Sequence, residues 1–426
     1  MNRMDPATGM TKLSQEVDAL ALDLAWSQWA ELGLDGSARR HDWQAIDLEA
    51  LIIFTAHLGN ADGRLRASAI EWCITHSRFA SAFRLRNLAE HSSPPTRTAF
   101  GQFAATVRAQ TKAPWPGQGD PLTLLHPSRT GSPDLRRPSL VQLRLRALVG
   151  VSARSEILKL MLAEPDRPQS ASTLAEDAAY GKGSVAQALD MLTQAGIVQV
   201  QPDANRLLYR LSRPGELAQT LQWLPSVFPP WSPIFRITEA ITDYAHSASG
   251  PPSTRTTALH KLLQQIDEDL HRLGLAEHVP RALGPASVAE FEHWALDFLA
   301  EQTGHIQGAN PSREVTYVIH HLSFGGWLGT MNVAGRQQRP LDSAEGQLDE
   351  ATGAAQLVHL MFIDVIGKGH WRGGLGTPDE AVIQVISREF TEELVRPMRA
   401  GQEATFTAEF VRRWYENRRQ RFGATA

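Results

Sequence analysis

Apolar positions recur at spacings of three and four through most of the first 110 residues. LALDLAWSQWAELGL carries an amphipathic stripe, EALIIFTAHLG and SAIEWCITHS continue it, and FRLRNLAEH closes the run before the breaker Ser92-Ser93-Pro94-Pro95. TRTAFGQFAATVRAQT adds one more such stretch. This period predicts helices. Residues 113–138 lose the pattern and fill with Pro and Gly, which predicts an exposed connection between domains. LVQLRLRAL (140–148) is a short basic amphipathic helix. Later, ALHKLLQQIDEDLHRLGL and SVAEFEHWALDFLAEQTG read as amphipathic helices. EVTYVIHHLSFGGWLGTMNVAG has the β-branched and aromatic character of strands. AAQLVHLMFIDVIGKG and EAVIQVISREFTEELVRPM read as helices, or as a strand and a helix.

The best-punctuated stretch is 155–213. An apolar helix (Ile157, Leu158, Leu160, Met161, Leu162) stops at a Pro-containing loop. A short helix follows, with Ser172 as its expected N-cap, Glu176 near a capping-box position, and Leu174, Ala175 and Ala178 on its apolar face. The turn Tyr180-Gly181-Lys182-Gly183 leads to a second helix, expected to be capped by Ser184. That helix buries Val185, Ala188, Leu189 and Leu192 and ends at Gly196. Two strands, 197–200 and 206–211, flank a polar turn at Pro202-Asp203-Ala204-Asn205. This order reads as a winged helix-turn-helix.

The expected architecture is therefore mainly α. A disordered 1–15 precedes a helical domain over 16–112, the Pro/Gly-rich linker 113–138, a central winged helix-turn-helix over 139–215, and a mostly helical or α+β region over 216–426.

A winged helix reads DNA with the second helix of its pair in the major groove and the wing on the backbone or minor groove. The face left outside the core shows Ser184, Gln187, Asp190, Thr193 and Gln194, with Lys182 just ahead of it. Gln187 suits adenine, and Lys182 and Ser184 suit a phosphate at the helix start. Arg206, Arg210 and Arg213 follow on the wing, and Arg144 and Arg146 lie on the preceding helix. Arg is the usual bidentate reader of guanine. The helix carries acidic Asp190 and, past Lys182, no basic residue, so affinity must come from its flanks. The alternative is a scaffold or adaptor whose winged helix meets a protein partner through Asp190 and the aromatic segment Trp223 to Phe235.

Net charge is -4, from 42 Lys and Arg against 46 Asp and Glu, so any nucleic-acid surface must be local. The lone Cys73 excludes an intramolecular disulfide and a multi-cysteine metal site; its helical surroundings suggest a buried thiol. The first thirty residues lack a signal-sequence pattern, and no apolar run approaches the roughly 18 residues that cross a bilayer. A cytoplasmic protein with no membrane partner is expected.

Chemistry is sparse. His320-His321, His359 and His370 with Asp364 form no H-E-x-x-H pattern. GKGHWRGGLGT is not a phosphate-binding G-x-x-x-x-G-K-[ST], and no G-x-S-x-G or G-x-G-x-x-G occurs. No catalytic residue, metal or cofactor is expected. An enzyme or small-molecule sensor built on His359, Asp364, His370 and Arg372 is the third reading. The C-terminal VRRWYENRRQRF interleaves arginines with aromatics, which suits either nucleic-acid stacking or a solvated helix whose rings dock on the domain.

The 155–213 stretch resembles the winged-helix regulators of the arsenical-resistance-repressor and multiple-antibiotic-resistance-regulator type. The resemblance implies a duplex-DNA partner and places Ser184, Gln187 and Thr193 on the base-facing helix and Arg206 and Arg210 on the wing. The metal-sensing cysteines of the first group are absent, so metal sensing is not carried over. The layout as a whole also resembles a bacterial regulator or antitoxin of the abortive-infection type, which implies a defence or toxin–antitoxin operon.

Overall fold

The computed structural model describes residues 11–37, 41, 44–124, 131–165, 167–203, 206–222, 224–225, 227–247, 252–281, 285–303, 315–323, 325–333, 336–340, 348–363, 365 and 380–419. The chain is mainly helical and divides into two compact units: residues 1–224 with 228–303, and residues 225–227 with 304–426.

The first unit opens with α1 (Lys12–Glu31), α2 (Leu48–His57), α3 (Gly63–His76), α4 (Ala82–Glu90) and α5 (Pro94–Gln110). Helix α1 begins inside the stretch expected to be disordered, because the Thr11 hydroxyl accepts from Ser14 N at 3.1 Å and caps it; residues 1–10 lie outside the described residues. Next come α6 (Val141–Val149), α7 (Ala153–Ala163), β1 (Gln169–Ser170), α8 (Ala171–Asp177), α9 (Lys182–Gln194), β2 (Val198–Asp203) and β3 (Arg206–Leu211). The unit closes with α10 (Pro214–Leu221), α11 (Trp231–Ser247), α12 (Pro252–Arg272) and α13 (Pro285–Gln302).

Aromatic packing explains why α11 to α13 join the N-terminal helices instead of forming a separate domain from residue 216. Phe235 of α11 stacks on Phe54 of α2 at 4.4 Å and on Trp231 at 5.3 Å, and Trp231 Nε1 donates to Ala45 O at 2.7 Å. On the other side of the core Trp29 and Trp72 meet edge to face at 5.5 Å. Cys73 is buried there, and burial raises its thiol well above the ordinary range, so it is the inert thiol expected.

The Pro/Gly-rich stretch does not run free between domains. Trp115 is 3% exposed and stacks parallel to Phe103 of α5, Arg108 donates to Trp115 O at 2.8 Å, and Leu122 N donates to Thr106 Oγ1 at 2.8 Å. Gly101 lets this strap approach α5 so closely that an added Cβ would stand 2.0 Å from Gln118 O. Residues 125–130 lie outside the described residues.

The second unit contains β4 (Val315–His321), β5 (Trp327–Val333), β6 (Arg336–Pro340), α14 (Gly353–Phe362), α15 (Glu380–Phe390), β7 (Glu403–Thr407) and α16 (Ala408–Arg419). Its strands form an antiparallel sheet in the order β6-β5-β4-β7. The sequence pattern exposed β4 and β5 but not β6 or β7. Tyr317, Ile319 and Met331 of the sheet join Phe362, Phe390 and Tyr415 of the helices in one apolar core. Trp414 packs on Phe390 at 5.0 Å, and Arg418 lies over the Trp414 ring while pairing with Glu389 and Glu393. Trp414 and Tyr415 thus dock on their own unit, while Phe410 of the same helix is 43% exposed; Phe422 lies outside the described residues.

Candidate nucleic-acid interface

Helix α9 is built as its spacing dictates. Val185, Ala188, Leu189 and Leu192 enter the core with Ile157, Leu158 and Met161 of α7, and Gly196 ends the helix with φ +72°. The caps differ from expectation. Ser170, not Ser172, caps α8, its hydroxyl accepting from Thr173 N at 3.2 Å. Gln169 and Ser170 pair with Tyr209 and Leu208 of β3, which draws the helix start back by two residues. Helix α9 begins at Lys182 behind Gly181, so Ser184 lies inside its first turn and no side chain caps it. Its leading N–H groups are left open at an exposed end, where an anion is favoured.

Strands β2 and β3 pair from Val198↔Leu211 to Asp203↔Arg206, and β1 adds to the other edge of β3, giving the order β1-β3-β2. Because side chains alternate, Val198, Val200 and Pro202 share one face with Leu211, Tyr209 and Leu207, and Gln199 and Asp203 share the other with Arg210 and Arg206.

The turn between α8 and α9 is anchored from outside the segment. Arg84 Nε donates to Ala178 O at 2.9 Å, Asn87 Nδ2 donates to Ala179 O at 2.9 Å, and the Ser81 and Tyr180 hydroxyls lie 2.8 Å apart. Ala179 has φ +52°, a conformation an alanine holds only under such constraint. Behind the turn lies a buried ion cluster. Arg84 binds Asp47 at 2.6 Å and Glu49 at 2.5 Å. Arg146 binds Glu49 and Glu156 at 2.6 Å each, and Lys159 reaches Glu156 at 3.0 Å and Asp47 at 3.3 Å. Burial alone would raise the Glu156 carboxyl, but the Arg146, Lys159 and Arg84 charges outweigh it and hold the group well below the usual carboxylate range. Asp47 is held down in the same way by Arg84 and Lys159. Acids and bases balance, which offsets the cost of burying these groups ionised.

The two arginines expected on α6 are corrected, Arg146 by this cluster and Arg144 by backbone carbonyls. Arg146 is 3% exposed and donates to Glu49, Glu156 and Phe79 O. Arg144 donates to the carbonyls of Leu221, Gln222 and Arg137, fastening α10 to α6. Thr193 is a third correction: its hydroxyl is closed off from solvent, with no hydrogen-bond partner among the described residues. Arg213 remains exposed but pairs with Glu216 at 3.2 Å. Lys182, Ser184 and Gln187 of α9 and Arg206 and Arg210 of the hairpin are all exposed. With the Gln199 amide turned to satisfy both groups, its oxygen accepts from Arg210 Nε at 2.7 Å. Arg206 stands opposite Asp203. Asp190 is exposed beside Gln187, so the surface is mixed in sign with its cations toward the helix start and the hairpin.

No family model matches the chain, and no curated protein or solved structure matches it.

Elsewhere the histidines are dispersed. His320 Nδ1 meets Glu403 at 3.2 Å, His321 bridges Glu350 at 2.7 Å and Met398 O at 2.9 Å while stacked on Trp327, and His359 lies 3.4 Å from Ser387 Oγ. Asp364, His370 and Arg372 lie outside the described residues, as does Trp223 of the aromatic segment. Among the described residues no group of three or more His, Cys, Asp or Glu is arranged to hold a metal ion, and no helix is long and apolar enough to cross a membrane.

Proposed function

We propose that residues 139–215 form a winged helix-turn-helix and that the protein is a duplex-DNA-binding transcriptional regulator. The observation that carries this reading is the succession α7, β1, α8, α9, β2, β3 with sheet order β1-β3-β2. It leaves the outer side of α9 and the hairpin to solvent. Lys182 and Ser184 sit at an open helix start and hold phosphate, Gln187 faces the groove, and Arg206 and Arg210 reach the backbone from the wing. With Arg144, Arg146 and Thr193 withdrawn, contacts to phosphate outnumber contacts to bases. Binding is therefore salt-sensitive and only modestly selective. A defence or toxin–antitoxin operon is the setting proposed, on architectural resemblance alone. A mobility shift with duplex DNA from upstream of the gene tests the reading. Retardation at low salt that is lost on Arg206→Ala with Arg210→Ala supports it, and no retardation at low salt removes it.

One observation favours a second reading. The apolar face of the hairpin continues past the core, leaving Val200 42% and Leu207 52% exposed, and Met191 of α9 is 47% exposed. Exposed apolar residues at this density suit a protein partner. Under this reading Leu207→Ser abolishes recovery of a purified partner and leaves DNA affinity unchanged.

A further inference from the structure

Resting on the reading of α9 and the wing as a DNA surface, we propose that this surface extends off the winged helix onto α4, where Arg86 contacts a backbone phosphate beside the start of α9.

Helix α4 is fixed to the α8–α9 turn by Arg84, Asn87 and Ser81, so its position relative to α9 is set before any ligand arrives. Phe83, 46% exposed, stacks parallel to Tyr180, the residue before Gly181, with ring centroids 5.8 Å apart. The Arg86 guanidinium lies over the other ring of this pair, 5.9 Å from the Phe83 centroid. Contacts thus run from Tyr180, just ahead of α9, through Phe83 to an arginine on α4. Arg86 is exposed and is in contact with no carboxylate among the described residues. Arg167, Arg213 and Arg97, by contrast, are engaged: Arg167 with Glu164, Arg213 with Glu216, and Arg97 with the carbonyls of Glu90 and Ser92.

A guanidinium that approaches a ring through its carbon keeps its N–H groups for bidentate contact with phosphate oxygens. Past the turn that α4 holds, Lys182 and the uncapped N–H groups of α9 form a second anion-binding element. Polyanionic duplex backbone is the partner that such separately mounted cationic groups fit.

The test is fluorescence anisotropy of the full chain with a labelled duplex, titrated at several salt concentrations. Loss of one phosphate contact lowers the slope of log K against log salt by about 0.9. The Arg86→Ala defect is then largest at low salt and shrinks about threefold between roughly 50 and 200 mM. Arg86→Lys, which keeps the charge, retains most of the slope. Because the side chain is exposed, thermal unfolding of both variants stays at the wild-type temperature. If wild type binds and Arg86→Ala leaves affinity and slope unchanged, the extension onto α4 is wrong while the winged-helix reading stands. If wild type does not bind duplex at low salt, both fall.

Discussion

Arg84 donates through Nε to the carbonyl of Ala178 at 2.9 Å while its other nitrogens hold Asp47 and Glu49. One buried guanidinium thus joins the turn ahead of α9 to helices α2 and α4. The orientation of α9 is set by the helical unit around it as well as by its own segment.

Removing Arg146 from this cluster leaves Asp47, Glu49 and Glu156 facing Arg84 and Lys159, one buried negative charge in excess. Arg146→Ala exposes Glu49 and Glu156 to that cost and should destabilise the protein by about 3–5 kcal/mol in urea unfolding. A variant as stable as wild type but weaker for DNA would return Arg146 to the surface and contradict its assignment.

The strap over α5 gives a second test. Ala ordinarily stabilises a helix relative to Gly by about 1 kcal/mol. At Gly101 the added Cβ would meet the Gln118 carbonyl, so Gly101→Ala should destabilise by about 1–3 kcal/mol. A neutral or stabilising result would mean that residues 113–124 are the free linker their composition suggests.

These two cases show where the sequence was readable. Val185, Ala188, Leu189 and Leu192 entered the core as their spacing required, and Gly196 ended α9, because both signals are local. Arg146 was misread because its partner Glu49 lies 97 positions away and periodicity records no distant charge. Trp115 was misread because Pro and Gly dominate a composition count while one buried indole decides the packing. Ser172 lost the cap to Ser170 through strand pairing with Leu208, again a contact distant in sequence. The place of Arg86 beside the turn is not legible in sequence, because α4 meets Ala178, Ala179 and Tyr180 across more than ninety positions.

A buried acid makes stability depend on pH. Glu239 accepts from Thr96 Oγ1 at 3.1 Å, and that hydroxyl lies 3.0 Å from His57 Nδ1, whose other nitrogen faces Asp243 at 3.8 Å. Burial raises Glu239 from 4.5 to about 8, the Asp243 charge adding to it and the Thr96 hydrogen bond opposing it. The folded state therefore holds this proton longer than the unfolded chain. The stability it contributes is complete below about pH 4.5, is lost progressively as pH rises to about 8, and is then constant, by at most about 5 kcal/mol. Glu239→Gln should unfold at a temperature that gains on wild type across this window. A constant difference between pH 5 and 8.5 would mean that Glu239 is ionised in the fold.

The account depends most on Lys182, Arg206 and Arg210 meeting backbone phosphate, and salt-titrated binding of wild type against the triple alanine variant measures that directly. Three lost contacts should lower the slope of log K against log salt by about 2.7, with unfolding unchanged. Undetectable wild-type binding at low salt, or a triple variant with the wild-type slope, would contradict it.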